Sequence, residues 1–207
     1  MAEPITRQSA LVGHYAESMF GANIQAPGIE LKQRQVGAII QLNGIDATTL
    51  EQIQHHFGLD EALAQQTVVG SYVTLLWTGP QQWLLVSEHT EPAFLITELE
   101  KMLAGTNATA TDLSHGRVIV QIAGSQAREL LAKGCPLNIQ SVEAGDCATT
   151  HLGAMTVIIH WREADVCDIY VSRSFAVSLW EWLLDAAGEF GCHSSAAVGG
   201  EWTQSTS

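Results

Sequence analysis

Two stretches of this chain repeat one another in outline. Ala38-Ile39-Ile40-Gln41-Leu42-Asn43-Gly44 and Val118-Ile119-Val120-Gln121-Ile122-Ala123-Gly124 align at an offset of eighty residues and share the middle Gln and the final Gly. Each is an apolar run ended by a Gly turn, and Ala47 and Leu50 then fall opposite Ala127 and Leu130 at the same offset. Self-similarity at a fixed spacing means that one supersecondary unit occurs twice. The chain is therefore expected to be an internal duplication.

The elements around each copy follow one series. Glu30 to Gln41 reads as a strand passing from a polar edge into the core, closed by Asn43-Gly44. Asp46 is a plausible N-cap for a helix of about residues 47 to 57, with Leu50, Ile53 and Phe57 on one face and Gly58 as its stop. Residues 72 to 87 read as a hairpin turning at Thr78-Gly79-Pro80, and residues 91 to 103 as a helix with Pro92 in its first turn. A strand then leads into Asp112. The second copy runs through a strand at 117 to 123 and a helix at 125 to 133 stopped by Gly134 and Pro136. One or two strands follow at 147 to 161, then a strand at 166 to 172 and a helix at 174 to 187. This order predicts α+β architecture: tandem split βαβ, ferredoxin-like lobes with helices on one face of an antiparallel sheet.

The domain reading is an N-terminal arm at 1–30, a single duplicated domain at 31–190 with lobes of about 31–113 and 114–190, and a flexible tail at 191–207. Within the arm, Leu11, Tyr15 and Met19 recur at helical spacing and suit a short helix that caps its own core or docks on another chain. The final helix carries two apolar stripes, Phe175, Leu179, Trp182, Leu183 and Ala186 on one and Val177, Trp180 and Leu184 on the other. A helix apolar on two sides is buried on two sides, the second layer being either the other lobe or another subunit. The tail is small and polar, with Trp202 a lone candidate anchor in it.

Composition narrows the function. A net charge of −13 and a pI near 4.8 leave too few Lys and Arg to track phosphates, which argues against nucleic acid. No apolar run approaches the roughly 18 to 20 residues that span a bilayer, and no signal-peptide core follows the first residues, so a cytoplasmic protein without a membrane contact is expected. Cys135, Cys147, Cys167 and Cys192 are too few and too irregular for a disulfide scaffold. Neither G-x-G-x-x-G nor G-x-x-x-x-G-K-[ST] occurs, nor does C-x-x-C, and the eight histidines lack ligand spacing. The adjacent His55 and His56 suit the negative end of the helix macrodipole, and a metal site there would need further ligands placed by the fold.

One cluster holds three groups capable of proton chemistry within four residues: Asp112, Ser114 and His115. Nucleophilic catalysis needs such groups in a hydrogen-bonded line, whereas neighbours on an extended segment point to alternate sides. The cluster is read instead as a polar turn whose Asp and Ser side chains bond nearby backbone. Cys135, before Pro136 at a helix end, is likewise read as a small buried residue rather than a nucleophile. No catalytic, cofactor-binding or metal-binding residue is assigned.

The segment at 111–127, Thr-Asp-Leu-Ser-His-Gly-Arg-Val-Ile-Val-Gln-Ile-Ala-Gly-Ser-Gln-Ala, resembles the Asp-x-Ser-His, strand, Gly-x-x-Ala signature of the folate-binding aminomethyltransferase superfamily, to which the glycine-cleavage T-protein belongs. Joined to Lys-Gly-Cys-Pro-Leu-Asn at 133–138, Gly-Pro-Gln-Gln-Trp-Leu-Leu at 79–85 and Val-Ser-Arg-Ser-Phe-Ala-Val-Ser-Leu-Trp at 171–180, it is similar to the gamma subunits of heterotetrameric sarcosine oxidases across about residues 9 to 188. The resemblance implies an aminomethyltransferase N-terminal-like fold and a noncatalytic structural subunit. Its partners would be alpha, beta and delta subunits, in a complex that oxidatively demethylates sarcosine to glycine and hydrogen peroxide and passes a one-carbon unit to tetrahydrofolate. FAD, FMN, NAD and the folate site are implied for alpha and beta and zinc for delta, with no cofactor on this chain. Two other readings stay open: a gamma-type subunit of a related N-methyl amino acid oxidoreductase such as N-methylglutamate dehydrogenase, and a free-standing folate-binding aminomethyltransferase-like protein.

Overall fold

The structure, a computed structural model, describes residues 9–14, 17–22 and 25–198. Strands β1 (Ser18–Phe20) and β2 (Ile29–Arg34) precede the first repeat, which runs β3 (Ala38–Asn43), α1 (Ala47–Phe57), β4 (Thr67–Val69), β5 (Thr74–Gly79), β6 (Gln82–Ser87), α2 (Pro92–Leu103) and β7 (Thr109–Asp112). The second runs β8 (Arg117–Ala123), α3 (Ala127–Ala132), β9 (Cys147–Leu152), β10 (Met155–Glu163), β11 (Val166–Ser172), α4 (Ala176–Ala187) and β12 (Cys192–Val198).

Local chemistry sets several boundaries. Asp46 accepts the Thr49 backbone N–H at 2.8 Å and so caps α1, and Gly58 ends the helix at φ 61°, a left-handed conformation that costs a glycine little. The β5–β6 hairpin turns at Pro80-Gln81, one position later than the Thr78-Gly79-Pro80 turn expected, with Gln81 at φ 57°.

The first sheet has the strand order β4-β5-β6-β3-β7, antiparallel throughout, which is the split βαβ order with β4 added at one edge. The second has the order β1-β12-β2-β8-β11-β10-β9. It repeats the series with β2 inserted between β12 and β8, parallel to the former and antiparallel to the latter. Alternation along the strands makes four layers. Ile40, Leu42, Leu75 and Leu85 face α1 and α2, while Val120, Ile122, Ile159 and Ile169 face α3 and α4. Between the sheets, Ile39, Leu76, Leu84 and Val86 of the first meet Ile119, Ile158 and Tyr170 of the second. The two sheets are also stitched along one seam, where Gln66 bridges Asp146, the Thr67 N–H donates to the Gly145 carbonyl at 2.7 Å, and the Thr149 hydroxyl donates to the Thr78 carbonyl at 2.7 Å.

Four expectations change. Residues 30 to 41 are not one strand: the chain leaves β2 in the second sheet, turns at Gly37, and enters the first sheet as β3, so residues 31–34 lie outside the lobe assigned to them. A side chain at Gly37 would stand 2.7 Å from the Thr90 carbonyl oxygen, so the crossing is too tight for a Cβ. The expected tail begins as β12, because the exposed edges of β1 and β2 supply backbone partners for a polar sequence. The expected helix through Leu11 and Met19 is absent among the described residues: residues 10–14 form turns that seat Leu11 at 0% exposure, and Met19 lies on β1. Tyr15 and Trp202 lie outside the described residues. Finally, α4 lies on the outer face of its sheet, and the other lobe does not cover its second stripe: Trp180 is 1% exposed in the core of its own lobe, with Val177 and Leu184 packed against that core. Of the first stripe, Trp182 packs over Gly134 and Gly153, and Phe175 is exposed.

Candidate functional site

The Asp112, Ser114 and His115 cluster lies where β7 gives way to β8. The Asp112 Oδ1 accepts the Ser114 backbone N–H at 2.8 Å and the Ser114 hydroxyl at 2.6 Å, while the Ser114 Oγ accepts the Ile39 backbone N–H at 2.9 Å. The Leu113 N–H donates to the Ile39 carbonyl at 2.8 Å, so the turn is locked onto the first residues of β3 by both backbone and side chain. Ser114 is 1% exposed, whereas His115 is exposed. The structure therefore brings Asp112 and Ser114 together as a turn and leaves His115 out of the pair. The hydroxyl hydrogen is held by a carboxylate and a lone pair is taken by an amide, an arrangement that fixes backbone.

A second polar group, absent from the expectations, lies on the inner face of the second sheet. Lys32, Gln121, Asp168 and His160 are opposite one another across β2, β8, β11 and β10. Asp168 is fully buried: its Oδ1 accepts from the Gln121 amide at 2.9 Å, its Oδ2 from Arg34 Nη1 at 2.5 Å, and Arg162 Nη1 stands 3.6 Å away. Arg34 also pairs with Glu88, just past β6, and so ties the two sheets together. His160 is 6% exposed and its Nδ1 has no hydrogen-bond partner. Burial lowers its pKa to about 4, Asp168 opposing the shift and Arg162 and Arg34 adding to it. Burial, reinforced by the Asp168 charge, pushes the Tyr170 hydroxyl well above its ordinary value. Both oxygens of the buried carboxylate are engaged, so the row joins lobes and keeps its histidine neutral.

These residues escape sequence reading because they are dispersed over four strands and only register unites them. The available signal was polarity at inward positions of otherwise apolar strands, of which the shared Gln of the repeat is one. In the first lobe its counterpart Gln41 donates to the Trp83 carbonyl at 3.1 Å instead.

The remaining reactive side chains are subdued. All four cysteines are buried and free, and burial pushes the Cys147 and Cys167 thiols up and Cys192 up to about 12, against thiolate chemistry. Cys135 packs in the core beneath α3 and α4, as the sequence reading has it. His55 and His56 close α1, with His56 Nε2 3.5 Å from Glu98. Among the described residues no group of three or more His, Cys, Asp or Glu could hold a metal, and no helix is long and apolar enough to cross a membrane. A cavity of about 250 Å³ opens at the seam between Leu137, Ile139, Val142 and Cys147, and its Asp146 accepts the Glu143 backbone N–H at 2.8 Å.

Two packed sheets of split βαβ order, joined by an Asp-Leu-Ser-His turn, define the class: an α+β fold of the aminomethyltransferase type. Two solved structures share it. Heterotetrameric sarcosine oxidase from Corynebacterium sp. U-96, in complex with pyrrole 2-carboxylate, matches with a TM-score of 0.78 and 24% identity over 89% of this chain and 96% of that one. Glycine cleavage system aminomethyltransferase T from Bartonella henselae matches with a TM-score of 0.60 and 17% identity over 83% of this chain and 48% of that one. The chain belongs to the sarcosine oxidase, gamma subunit family, whose model matches residues 43–189.

Among its relatives, the sarcosine oxidase subunit gamma of Corynebacterium sp. (strain U-96) is 33% identical over 136 residues, 64% of this chain and 65% of that one. That of Arthrobacter sp. is 27% identical over 136 residues, 64% and 66% respectively. The matched region thus spans just under two thirds of either relative's length.

Proposed function

We propose that this chain is a noncatalytic structural subunit of a cytoplasmic, heterotetrameric sarcosine oxidase. In this reading alpha, beta and delta subunits carry FAD, FMN, NAD, tetrahydrofolate and zinc, and carry out the oxidative demethylation of sarcosine to glycine and hydrogen peroxide. Its architecture is one duplicated domain at about 31–190, lobes 31–113 and 114–190, with β2 exchanged into the second sheet. The observation that carries the reading is the fate of the Asp112, Ser114 and His115 cluster. Its Asp and Ser are consumed in fastening the start of β8 to β3, so the residues best suited to chemistry hold the lobes in place. Exposed apolar side chains support it: Leu63, Val69 and Tyr72 around β4, and Phe94 on α2, are surface of the kind that a partner covers. The acidic balance agrees with protein partners rather than nucleic acid.

Coexpression with candidate alpha, beta and delta subunits, followed by the mass and flavin absorbance of the purified assembly, tests this. The expected result is a four-chain complex that contains this chain and turns over sarcosine in preference to N-methylglutamate. A chain that stays a stable monomer in the presence of those subunits, or that binds tetrahydrofolate alone, would refute it.

A further inference from the structure

We propose that the cleft where β8 starts and β11 ends receives the carboxylate of an acidic side chain from a partner subunit, held by Arg117. This rests on the subunit reading above and specifies what one part of the partner presents.

The chain has six arginines against twenty-two acidic residues, and three of the six, Arg34, Arg117 and Arg173, line this one cleft together with Ser9 and Gln33. No Asp or Glu is among the described residues that line it. The register places Arg117 opposite Ser172, and Arg173 follows directly, its N–H donating to the Gly116 carbonyl at 2.8 Å, so both cations project from adjoining strand ends. Arg34 is occupied by Asp168 and Glu88. Arg117 is not: among the described residues it forms no ion pair, its Nε is buried without a hydrogen-bond partner, and burial alone lowers its pKa with no carboxylate to counter it.

A half-buried guanidinium without a counter-ion is unfavourable, because desolvation weakens the charged form and a missing acceptor leaves a donor unsatisfied. A carboxylate removes both penalties, since its oxygens match the guanidinium fork. The enclosed part of the cleft is only about 20 Å³, room for a water-sized group. It admits the tip of a side chain rather than a whole small molecule. The mouth is continuous with a shallow surface formed by Ala10, Val12, Arg173 and Ser174, where Val12 is 53% and neighbouring Phe175 48% exposed. Arginine beside an exposed aromatic is the composition of an interface anchor. On a chain of net charge −13 a cationic cleft of this kind selects an acidic partner by charge complementarity.

The test compares wild type with Arg117→Gln, Arg173→Gln and Arg117→Lys, first as the isolated chain and then coexpressed with the other three subunits. An arginine that serves its own fold loses stability when replaced, whereas one that awaits a partner does not. The melting temperature of isolated Arg117→Gln is therefore expected to equal or exceed that of wild type. Assembly of the same variant should weaken by about tenfold or more and lose part of its salt dependence, with Arg117→Lys restoring only some of it. Assembly as tight and as salt-dependent in Arg117→Gln as in wild type would overturn the proposal while leaving the subunit reading intact. So would a fall in the isolated variant's melting temperature with unchanged assembly. Stabilisation of the isolated chain by millimolar acetate, abolished by Arg117→Gln without an effect on assembly, would show a free-anion site instead and would equally overturn it. A wild-type chain that fails to assemble refutes the subunit reading itself.

Discussion

Replacing Asp168 by Ala should be among the most damaging single changes in this protein. The carboxylate is 0% exposed and is the buried end of a charge network whose other end, Arg34, has a side chain only 9% exposed. Deleting one partner of a buried pair costs about 3–5 kcal/mol, because the surviving charge stays desolvated. Glu88 remains on Arg34 and offsets part of this, while the Gln121 amide loses its acceptor, which adds about 1–3 kcal/mol. Taken together, a loss of about 4 kcal/mol is expected. With a urea m-value of about 2–3 kcal/mol/M, the unfolding midpoint falls by about 1.3–2 M. The buried Trp161 and Trp180 supply the fluorescence signal for equilibrium denaturation at neutral pH. Pairing the change with Arg34→Met removes the stranded charge as well, so the double variant should be more stable than the sum of the singles requires, by about 1–3 kcal/mol. A midpoint shift below about 0.3 M, or additivity within about 0.5 kcal/mol, would refute the view that this network is a coupled, desolvated tie between the lobes.

Three further outcomes are expected. Gly124 closes the second repeat strand at φ 122°, and a Cβ there would stand 2.2 Å from the Gly28 carbonyl oxygen, so Gly124→Ala should lower the melting temperature by about 5–10 °C in calorimetry. His160 has a folded pKa of about 4 against the ordinary 6.5, so the native chain refuses a proton that the unfolded chain accepts. Its contribution is constant above pH 6.5, and stability falls by about 3 kcal/mol as pH drops from 6.5 towards 4. Denaturation midpoints measured against pH should accordingly slope less steeply in that window for His160→Gln. Ser114→Ala strands the Ile39 N–H in a buried site and should cost about 1–3 kcal/mol, while His115→Ala, at an exposed position, should stay within about 0.5 kcal/mol. Turnover per assembled complex should be unchanged by either, measured after the complex has been isolated by size.

The elements legible in the sequence are those with strong local signals. β8 and β11 match their expected spans because uninterrupted apolar runs between turn residues have few alternatives, and α1 is bounded by a side-chain cap and a left-handed glycine that act over a few residues. The Asp112 and Ser114 turn was legible for the same reason, since both its side chains bond backbone close by in sequence or across one strand pair. The elements missed lack such signals. β12 is Cys-His-Ser-Ser-Ala-Ala-Val, a composition with little strand character, and it becomes a strand because β1 and β2 offer it unpaired backbone on both sides. The Arg34, Gln121, His160 and Asp168 network was equally hidden: its members lie up to 134 residues apart, and each is an ordinary polar residue until the register is known.

The sequence by itself therefore determined a duplicated α+β series, the positions of most of its helices and strands, and the turn made by Asp112 and Ser114. Those are consequences of periodicity, capping and turn chemistry, which operate within a few residues. Only the tertiary structure decided that β2 leaves the first lobe for the second sheet, that a fully buried carboxylate ties the lobes through Arg34, and that Arg117 has no counter-ion among the described residues. The physical reason is that a strand's partner, and the sign of the charge facing a side chain, depend on which distant backbone is close enough to pair with it.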